Sequence, residues 1–286
     1  MPAHPSGGPY HPAGMSPWSG DVLELTSRAV GANYVVSVAT PHGYERSRSS
    51  YPLVVTLDAH WLFGTVHDLA LSLSMGRVIP RVVVAGVGWP TSDLAEIARL
   101  RHRDSTPTMA PFFDAGSGTV QRDGTGGAEP FRTFVLDELL PELQSRYRLG
   151  APTMLVGHSL TGLFAVHTLL HRPESFDSYL LASPSLWWDD VVTLRVTEPE
   201  VAEARRHLPA RVYLSAGAEE GGDRRSAPFR MVPNVEELGR RLRRYEGLDL
   251  QLEILAGETH HSTIGQSVSR GLRTLLSDGE DAPVGA

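Results

Sequence analysis

Short apolar runs without polar alternation recur along the whole chain. They are rich in β-branched residues and lie at Tyr34–Val38, Leu53–Leu57, Arg81–Ala85, Met154–Val156, Tyr179–Ala182, Val212–Ser215 and Leu250–Leu255. A run with no polar face is typical of a strand that is buried on both sides. The pattern therefore predicts a central sheet that is covered on both faces.

Segments with helical periodicity lie between these runs. The clearest covers residues 131–147, where apolar side chains recur at intervals of three and four residues: Phe131, Phe134, Val135, Leu139, Leu143 and Tyr147. Pro141 is expected to kink this helix, and Gly150 and Pro152 separate it from the next strand. The alternation of strands and helices predicts an α/β fold with a mostly parallel central sheet and helices on both faces.

The chain of 286 residues shows no internal repeat and no linker to a second domain, so one large domain is expected. The first twenty residues are rich in Pro and Gly and are predicted to form a disordered tail. The domain is predicted to cover residues 21–278, followed by a short flexible tail at residues 279–286. Residues 105–128 show little periodicity and many glycines and prolines, which predicts a long loop over a site.

Charge and composition exclude several classes of function. The formal net charge of −7 arises from interspersed acids and bases, without the basic stripe of a nucleic-acid-binding protein. The chain has no cysteine, which excludes disulfides, thiolate nucleophiles and thiolate metal sites. The sequence shows neither a signal-peptide pattern nor an apolar stretch of membrane-spanning length. We therefore expect a soluble cytoplasmic protein with no membrane partner.

One segment carries the pattern of a nucleophile. An apolar strand ends at Gly157-His158-Ser159, and a helical run follows from Leu160. A strained turn of this kind presents the serine hydroxyl above the sheet, and the helix N-terminus favours a developing oxyanion. Thr161 departs from the usual G-x-S-x-G pattern, and its β-branched side chain is expected to crowd the turn.

A serine nucleophile needs a base, which in this chain order follows the last strand. His260 and His261 both lie there, and the residues alone leave either possible. The acid should follow the penultimate strand, where three carboxylates are candidates: Glu219, Glu220 and Asp223. We favour Glu220, with Glu219 as the alternative, to orient the imidazole.

Other residues near these motifs are weaker candidates. The backbone N–H groups of Leu160 and His60 are the predicted oxyanion hole. Trp187 is a candidate for contact with substrate, although it could equally pack in the core. Arg103 is a candidate for binding a polar substrate. The alternative is a local ion pair with Asp104. His167 and His171 have metal-ligand spacing on one helix, but with no third ligand we expect no metal.

Several motifs in order resemble the putative-esterase family of α/β-hydrolases, which includes siderophore esterases and, more distantly, the antigen 85 mycolyltransferases. The resemblance extends from about residue 27 to 276 and includes these segments: Leu57–Phe63, Arg103–Pro107, Gly126–Ala128 and Ser183–Trp188. It implies the α/β-hydrolase fold, His260 rather than His261 as base, and the amides of His60 and Leu160 as oxyanion donors. It does not distinguish Glu219 from Glu220, and a Ser–His dyad stays open. Ala59 and Thr161 stand where this family usually has glycine.

Together these patterns predict a serine hydrolase that cleaves a small-molecule carboxylic ester or lactone, of a siderophore-like or other natural-product type, with no cofactor and no metal. An acyltransferase or cyclase would use the same Ser–His machinery. A non-catalytic ligand-binding homologue is the third possibility, motivated by Ala59 and Thr161. The sequence predicts neither the acyl and alcohol groups of the substrate nor the oligomeric state.

Overall fold

A computed structural model describes residues 19–114, 119–121, 123–221 and 227–277. The strands, in chain order, are β1 (Ser19–Ser27), β2 (Ala32–Thr40), β3 (Tyr51–Thr56), β4 (Val83–Gly88), β5 (Phe112–Asp114), β6 (Thr119–Gln121), β7 (Leu149–His158), β8 (Ser178–Ala182), β9 (His207–Gly217) and β10 (Glu246–Leu255). The α-helices are α1 (Ala59–Met75), α2 (Leu94–Ser105), α3 (Ala128–Thr133), α4 (Leu140–Arg146), α5 (Leu160–His171), α6 (Trp188–Val192), α7 (Glu198–Ala204), α8 (Met231–Leu242) and α9 (Thr263–Leu276).

Eight strands form the central sheet in the order β1-β2-β4-β3-β7-β8-β9-β10. The pairs β1/β2 and β2/β4 are antiparallel, and every other pair in this sheet is parallel. Each predicted strand overlaps one strand of this sheet. The predicted α/β class with a mostly parallel sheet is confirmed.

The N-terminal region differs from the prediction. Strand β1 begins at Ser19, inside the predicted N-terminal tail, because Ser19 and Gly20 pair with the end of β2. As an edge strand β1 buries only Leu23 and Ser27 fully, so it has no continuous apolar run. Residues 1–18 and 279–286, the rest of the predicted tails, lie outside the described residues.

The predicted loop at residues 105–128 also contains structure. Its short strands β5 and β6 pair in an antiparallel hairpin, and each has three residues, too few to show a period in the sequence. The loop is fastened at its ends, because Thr106 Oγ1 accepts from the N–H of Gly126 at 2.7 Å and Arg103 O accepts from that of Gly127 at 2.8 Å.

The predicted helix at residues 131–147 is continuous but changes type. A π-helical segment, Phe134–Leu139, joins α3 to α4, and Pro141 lies in the first turn of α4. Proline has no N–H for the carbonyl four residues earlier, and the wider π turns let the chain pass this position without a break. The six apolar residues that predicted this helix are all buried.

Helices cover both faces of the sheet, as predicted. On one face, α1 and α9 bury Val66 and Leu272 against Val54 and Met154. On the other face, α2, α3, α5 and α8 pack over a larger core that includes Phe164. Within the described ranges, no helix is both long enough and apolar enough to cross a membrane.

Leu272→Ala is expected to lower the free energy of unfolding by about 2–5 kcal/mol, because it deletes a fully buried side chain of the α9 core. Leu94 in α2 is 69% exposed, so Leu94→Ala is a matched control whose effect should stay below about 0.5 kcal/mol. Urea unfolding measures both variants. Equal destabilisation of the two would contradict the packing of α9.

Candidate active site

Ser159 occupies the turn between β7 and α5. Its φ of 61° and ψ of −119° are unusual for a residue with a side chain, and such strain persists only where the surroundings enforce it. Gly157 permits the turn, because a Cβ at this position would lie 2.2 Å from the carbonyl oxygen of Thr161. Serine thus occupies a backbone conformation that glycine would adopt with less strain.

The end of β8 and the loop after it hold this turn from the other side. Ser159 N–H donates to Ala182 O at 3.0 Å, and Ser185 N–H donates to Ser159 O at 3.0 Å. The side chains also meet, with Ser159 Oγ 3.3 Å from Ser185 Oγ. Among the described residues, Ser185 is the hydrogen-bond partner of the Ser159 hydroxyl.

His260 is paired with Glu220. Its Nδ1 lies 2.7 Å from Oε2 of Glu220, which is almost completely buried, whereas Glu219 is exposed. Oε1 of Glu220 accepts from Ser183 Oγ at 2.5 Å and from the N–H of Gly217 at 2.6 Å. The structure therefore brings Glu220, and not Glu219, to the histidine.

The hydrogen bonds around Glu220 control its ionisation. Burial raises the pKa of Glu220, but the hydrogen bonds from His260, Ser183 and Gly217 outweigh it and hold this pKa below its usual value. The carboxylate is consequently charged at neutral pH and accepts the Nδ1–H of His260, which leaves Nε2 of that ring as the basic nitrogen. Asp223, the third candidate acid, lies outside the described residues.

His158 connects the His260 loop to the serine turn. Its Nε2 lies 2.9 Å from His260 O, and the two imidazole rings are 4.6 Å apart. Burial and the neighbouring His260 hold the pKa of His158 well below its usual value, so the ring is neutral and its Nε2–H donates to the carbonyl. His261 is exposed, with its ring 5.3 Å from that of His260.

No hydrogen bond joins Ser159 to His260 among the described residues, although the His158 contacts hold His260 beside the serine turn. Serine–histidine hydrogen bonds in enzymes are often long without substrate and tighten in the reacting complex. The arrangement is thus a serine, a histidine and a buried carboxylate in neighbouring loops.

Two helix N-termini meet at the same place. Helix α1 begins one residue before His60, and α5 begins at Leu160, so the N–H groups of both residues lie in first turns, which have no intrahelical acceptor. The N-cap Asp58 makes no side-chain cap, and its carboxylate binds Arg101 and Thr161 instead. These N–H groups can therefore receive an anion.

Of the weaker candidates, Arg103 is held in a structural ion pair and Trp187 is partly exposed. Arg103 donates to both carboxylate oxygens of buried Asp104, at 2.7 and 3.0 Å, and to Tyr34. This is the local ion pair that was the alternative to substrate binding. Trp187 is half-buried and packs on exposed Phe229, with ring centroids 4.6 Å apart, so it borders solvent.

Sequence reasoning missed several residues of this site. Arg101 donates through Nη2 to His158 O at 3.1 Å and lies over the ring of exposed Trp61. Ser183 and Ser185 each touch one of the candidate triad residues. The two serines lie in a family motif, which was the available signal, but no sequence pattern pointed to Arg101.

His167 and His171 lie one turn apart on α5, and their side chains contact each other. Their rings are 4.1 Å apart, and burial, His171 and Arg132 together lower the pKa of His167 to about 3. Within the described ranges, no group of three metal-ligating side chains is assembled.

Comparison with known sequences places the chain among esterases. The sequence model of the family described as Putative esterase matches residues 27–244. Ferri-bacillibactin esterase BesA of Bacillus subtilis is 31% identical over 266 residues, which cover 90% of this chain and 89% of that protein. The siderophore triacetylfusarinine C esterase of Aspergillus fumigatus is 28% identical, over 87% of this chain and 90% of that protein.

Solved structures agree with this grouping. Siderophore hydrolase EstA from Aspergillus nidulans has a TM-score of 0.80 and 26% identity, over 95% of this chain and 97% of that chain. The BES protein from Bacillus cereus has a TM-score of 0.77 at 24% identity, over 95% of this chain and 100% of that chain, and supports the fold alone.

Glu220→Gln is expected to destabilise the protein by about 1–3 kcal/mol at pH 7, because a buried charged acceptor is lost. The folded-state pKa of Glu220 lies below the usual 4.5, so the ionised group stabilises the fold above that pH. This contribution is lost as the pH falls through the folded-state pKa. The difference between wild type and variant should therefore shrink below about pH 4.5 in urea unfolding.

Glu219→Gln is the control for this measurement, because the neighbouring carboxylate is exposed. It should leave stability almost unchanged at every pH. A stability difference for Glu220→Gln that stays constant down to pH 3 would contradict the assigned hydrogen bonds.

Proposed function

Because the chain belongs to the Putative esterase family and is an esterase, we propose that it hydrolyses the ester bonds of a siderophore through an acyl-enzyme on Ser159. The observation that carries the proposal is the hydrogen bond of half-buried His260 to buried Glu220 beside the strained Ser159 turn. The three residues follow the chain order Ser, acid, His that this fold uses.

In the proposed reaction, Nε2 of His260 takes the hydroxyl proton of Ser159 as the serine oxygen attacks the ester carbon. The carbonyl oxygen becomes an oxyanion between the N–H groups of His60 and Leu160. The tetrahedral intermediate then breaks its bond to the alcohol oxygen, which takes the proton from His260. An ester between the acyl group and Ser159 remains.

Water completes the cycle by the same steps. His260 takes a proton from water, the resulting oxygen attacks the acyl carbon, and Ser159 leaves with the proton from His260. Glu220 keeps the Nδ1–H of His260 directed at itself and stabilises the imidazolium that forms in both halves. Ser183 and Gly217 hold the carboxylate for this role.

The proposed substrate class rests on the relatives and on exposed aromatic residues. Similar proteins are named as the esterase of ferri-bacillibactin and as the esterase of the siderophore triacetylfusarinine C. Trp61, in the predicted oxyanion segment, is 47% exposed, and Phe229 beside Trp187 is 40% exposed. Such surfaces favour a ligand with flat or apolar groups.

The cytoplasmic location stays a prediction.

The alternative of a non-catalytic binding protein was motivated by Thr161 and Ala59, and crowding of the turn was the argument against Thr161. Thr161 is buried, and its hydroxyl is hydrogen-bonded to the backbone of His158 and to the carboxylate of Asp58. This removes the main physical argument for a lost activity. Acyl transfer to an alcohol or amine uses the same intermediate and is separated from hydrolysis by the products.

A fluorophosphonate probe is expected to label Ser159, because the reagent reacts with activated serines. The test does not require the substrate to be known. Ser159→Ala and His260→Ala should abolish labelling. His261→Ala is the matched control: it removes the neighbouring histidine, whose ring is exposed, and should retain labelling. Intact-mass and peptide mass spectrometry measure the modification. A folded wild type that stays unlabelled would remove the basis of the serine-hydrolase mechanism.

Ferri-bacillibactin is expected to gain one water per cleaved ester when incubated with the enzyme, as detected by mass spectrometry. Ser159→Ala should lower the rate by about 10³-fold or more, because the nucleophile is lost. Triacetylfusarinine C tests whether the ester of a second siderophore is accepted. Adducts with added glycerol would favour acyl transfer, and no cleavage of either compound by probe-reactive enzyme would contradict the siderophore proposal.

A further inference from the structure

Thr161 lies buried at the centre of a hydrogen-bond network beside the nucleophile. Its Oγ1 is 2.9 Å from Asp58 Oδ2 and 2.9 Å from His158 O, and it accepts from the N–H of His158 at 3.1 Å. A hydroxyl has one proton, and the charged carboxylate is the stronger acceptor. The hydroxyl thus donates towards Asp58 and accepts from the strand that leads to Ser159.

Asp58 takes part in the network instead of capping its own helix. Its backbone has a left-handed φ of 55°, and its carboxylate makes no bond to the first turn of α1. Arg101 binds the same carboxylate through Nε at 2.9 Å and reaches His158 O through Nη2 at 3.1 Å. Both Thr161 and Arg101 therefore join Asp58 to His158.

Asp58 and His158 occupy equivalent positions relative to the two proposed oxyanion donors. Asp58 lies two residues before His60, and His158 lies two residues before Leu160, so each precedes one proposed oxyanion donor. The contacts of Thr161 and Arg101 between these segments add to the bond from Leu57 N–H to Val156 O, so they help to set the separation of the two N–H groups. Small errors in that separation weaken the stabilisation of an oxyanion steeply, because the donors must meet the oxygen at hydrogen-bond distance.

We infer that Thr161 is a positioning residue whose hydroxyl fixes the start of α1 to the serine turn and so aligns the N–H groups of His60 and Leu160. The inference rests on the proposed function, since it concerns the same site.

Thr161→Val tests the hydroxyl because it keeps the volume and branching of the side chain. It leaves the N–H of His158 without its partner and Asp58 held by Arg101 alone. Thr161→Ser restores the hydroxyl and should rescue the effect. Thr168→Val is the matched control, because Thr168 is buried in the same helix and its hydroxyl donates to Phe164 O, away from the site.

The measurement is the rate of Ser159 modification by a fluorophosphonate, whose phosphoryl oxygen also uses the oxyanion donors. We expect Thr161→Val to react about 10- to 100-fold more slowly, with the full amount of protein still labelled at the end point. The midpoint of its pH–rate profile should stay that of wild type, because the His260–Glu220 pair is untouched. Thr161→Ser and Thr168→Val should react within about threefold of wild type.

Each other outcome has a distinct meaning. Rates for Thr161→Val within about twofold of wild type would overturn the inference while leaving the serine mechanism intact. A reduced labelled fraction or a shifted pH midpoint would also overturn it, because Thr161 would then act on folding or on the base. An unlabelled wild type would refute the proposed function itself.

Discussion

The site depends on one strained backbone position, the left-handed turn at Ser159. Strain of this kind costs about 1–3 kcal/mol and persists only where neighbouring contacts leave no alternative. Here Gly157 removes a clash with the following turn, and the backbone of Ser159 is bonded to the last residue of β8 and to the loop after it. The turn is therefore held by β8 and the loop after it, and also by the helix that follows, through Thr161 and the N–H of Leu163.

Parallel strands explain why the other groups meet this turn. The carboxyl ends of β3, β7, β8, β9 and β10 lie along one edge of the sheet, and each is followed by a residue of the site. Neighbouring loops then bond to one another: Thr161 to Asp58, Ser185 to Ser159, Ser183 to Glu220, and Glu220 to His260. Every polar side chain in this series has its partner in a neighbouring segment.

The sequence predicted the parts of this arrangement that have a local signal. Buried strands appear as apolar runs, and the turn at Ser159 appears as glycine and serine between a strand and a helix. The edge strand β1 has no such run, because only alternate side chains are buried. The contacts of Arg101, Ser183 and Ser185 depend on how separate loops pack, and no spacing along the chain encodes them.

Thr161 shows why a departure from a family pattern needs its contacts before it is interpreted. Side-chain size alone predicts that a β-branched residue crowds the turn. The buried hydroxyl instead has both a donor and an acceptor within 3.1 Å, so the cost of burying a polar group is offset. Its methyl group lies in a buried position where apolar contact is favourable. A residue that size alone marks as a defect is therefore, by its hydrogen bonds, a connection between the N-termini of α1 and α5.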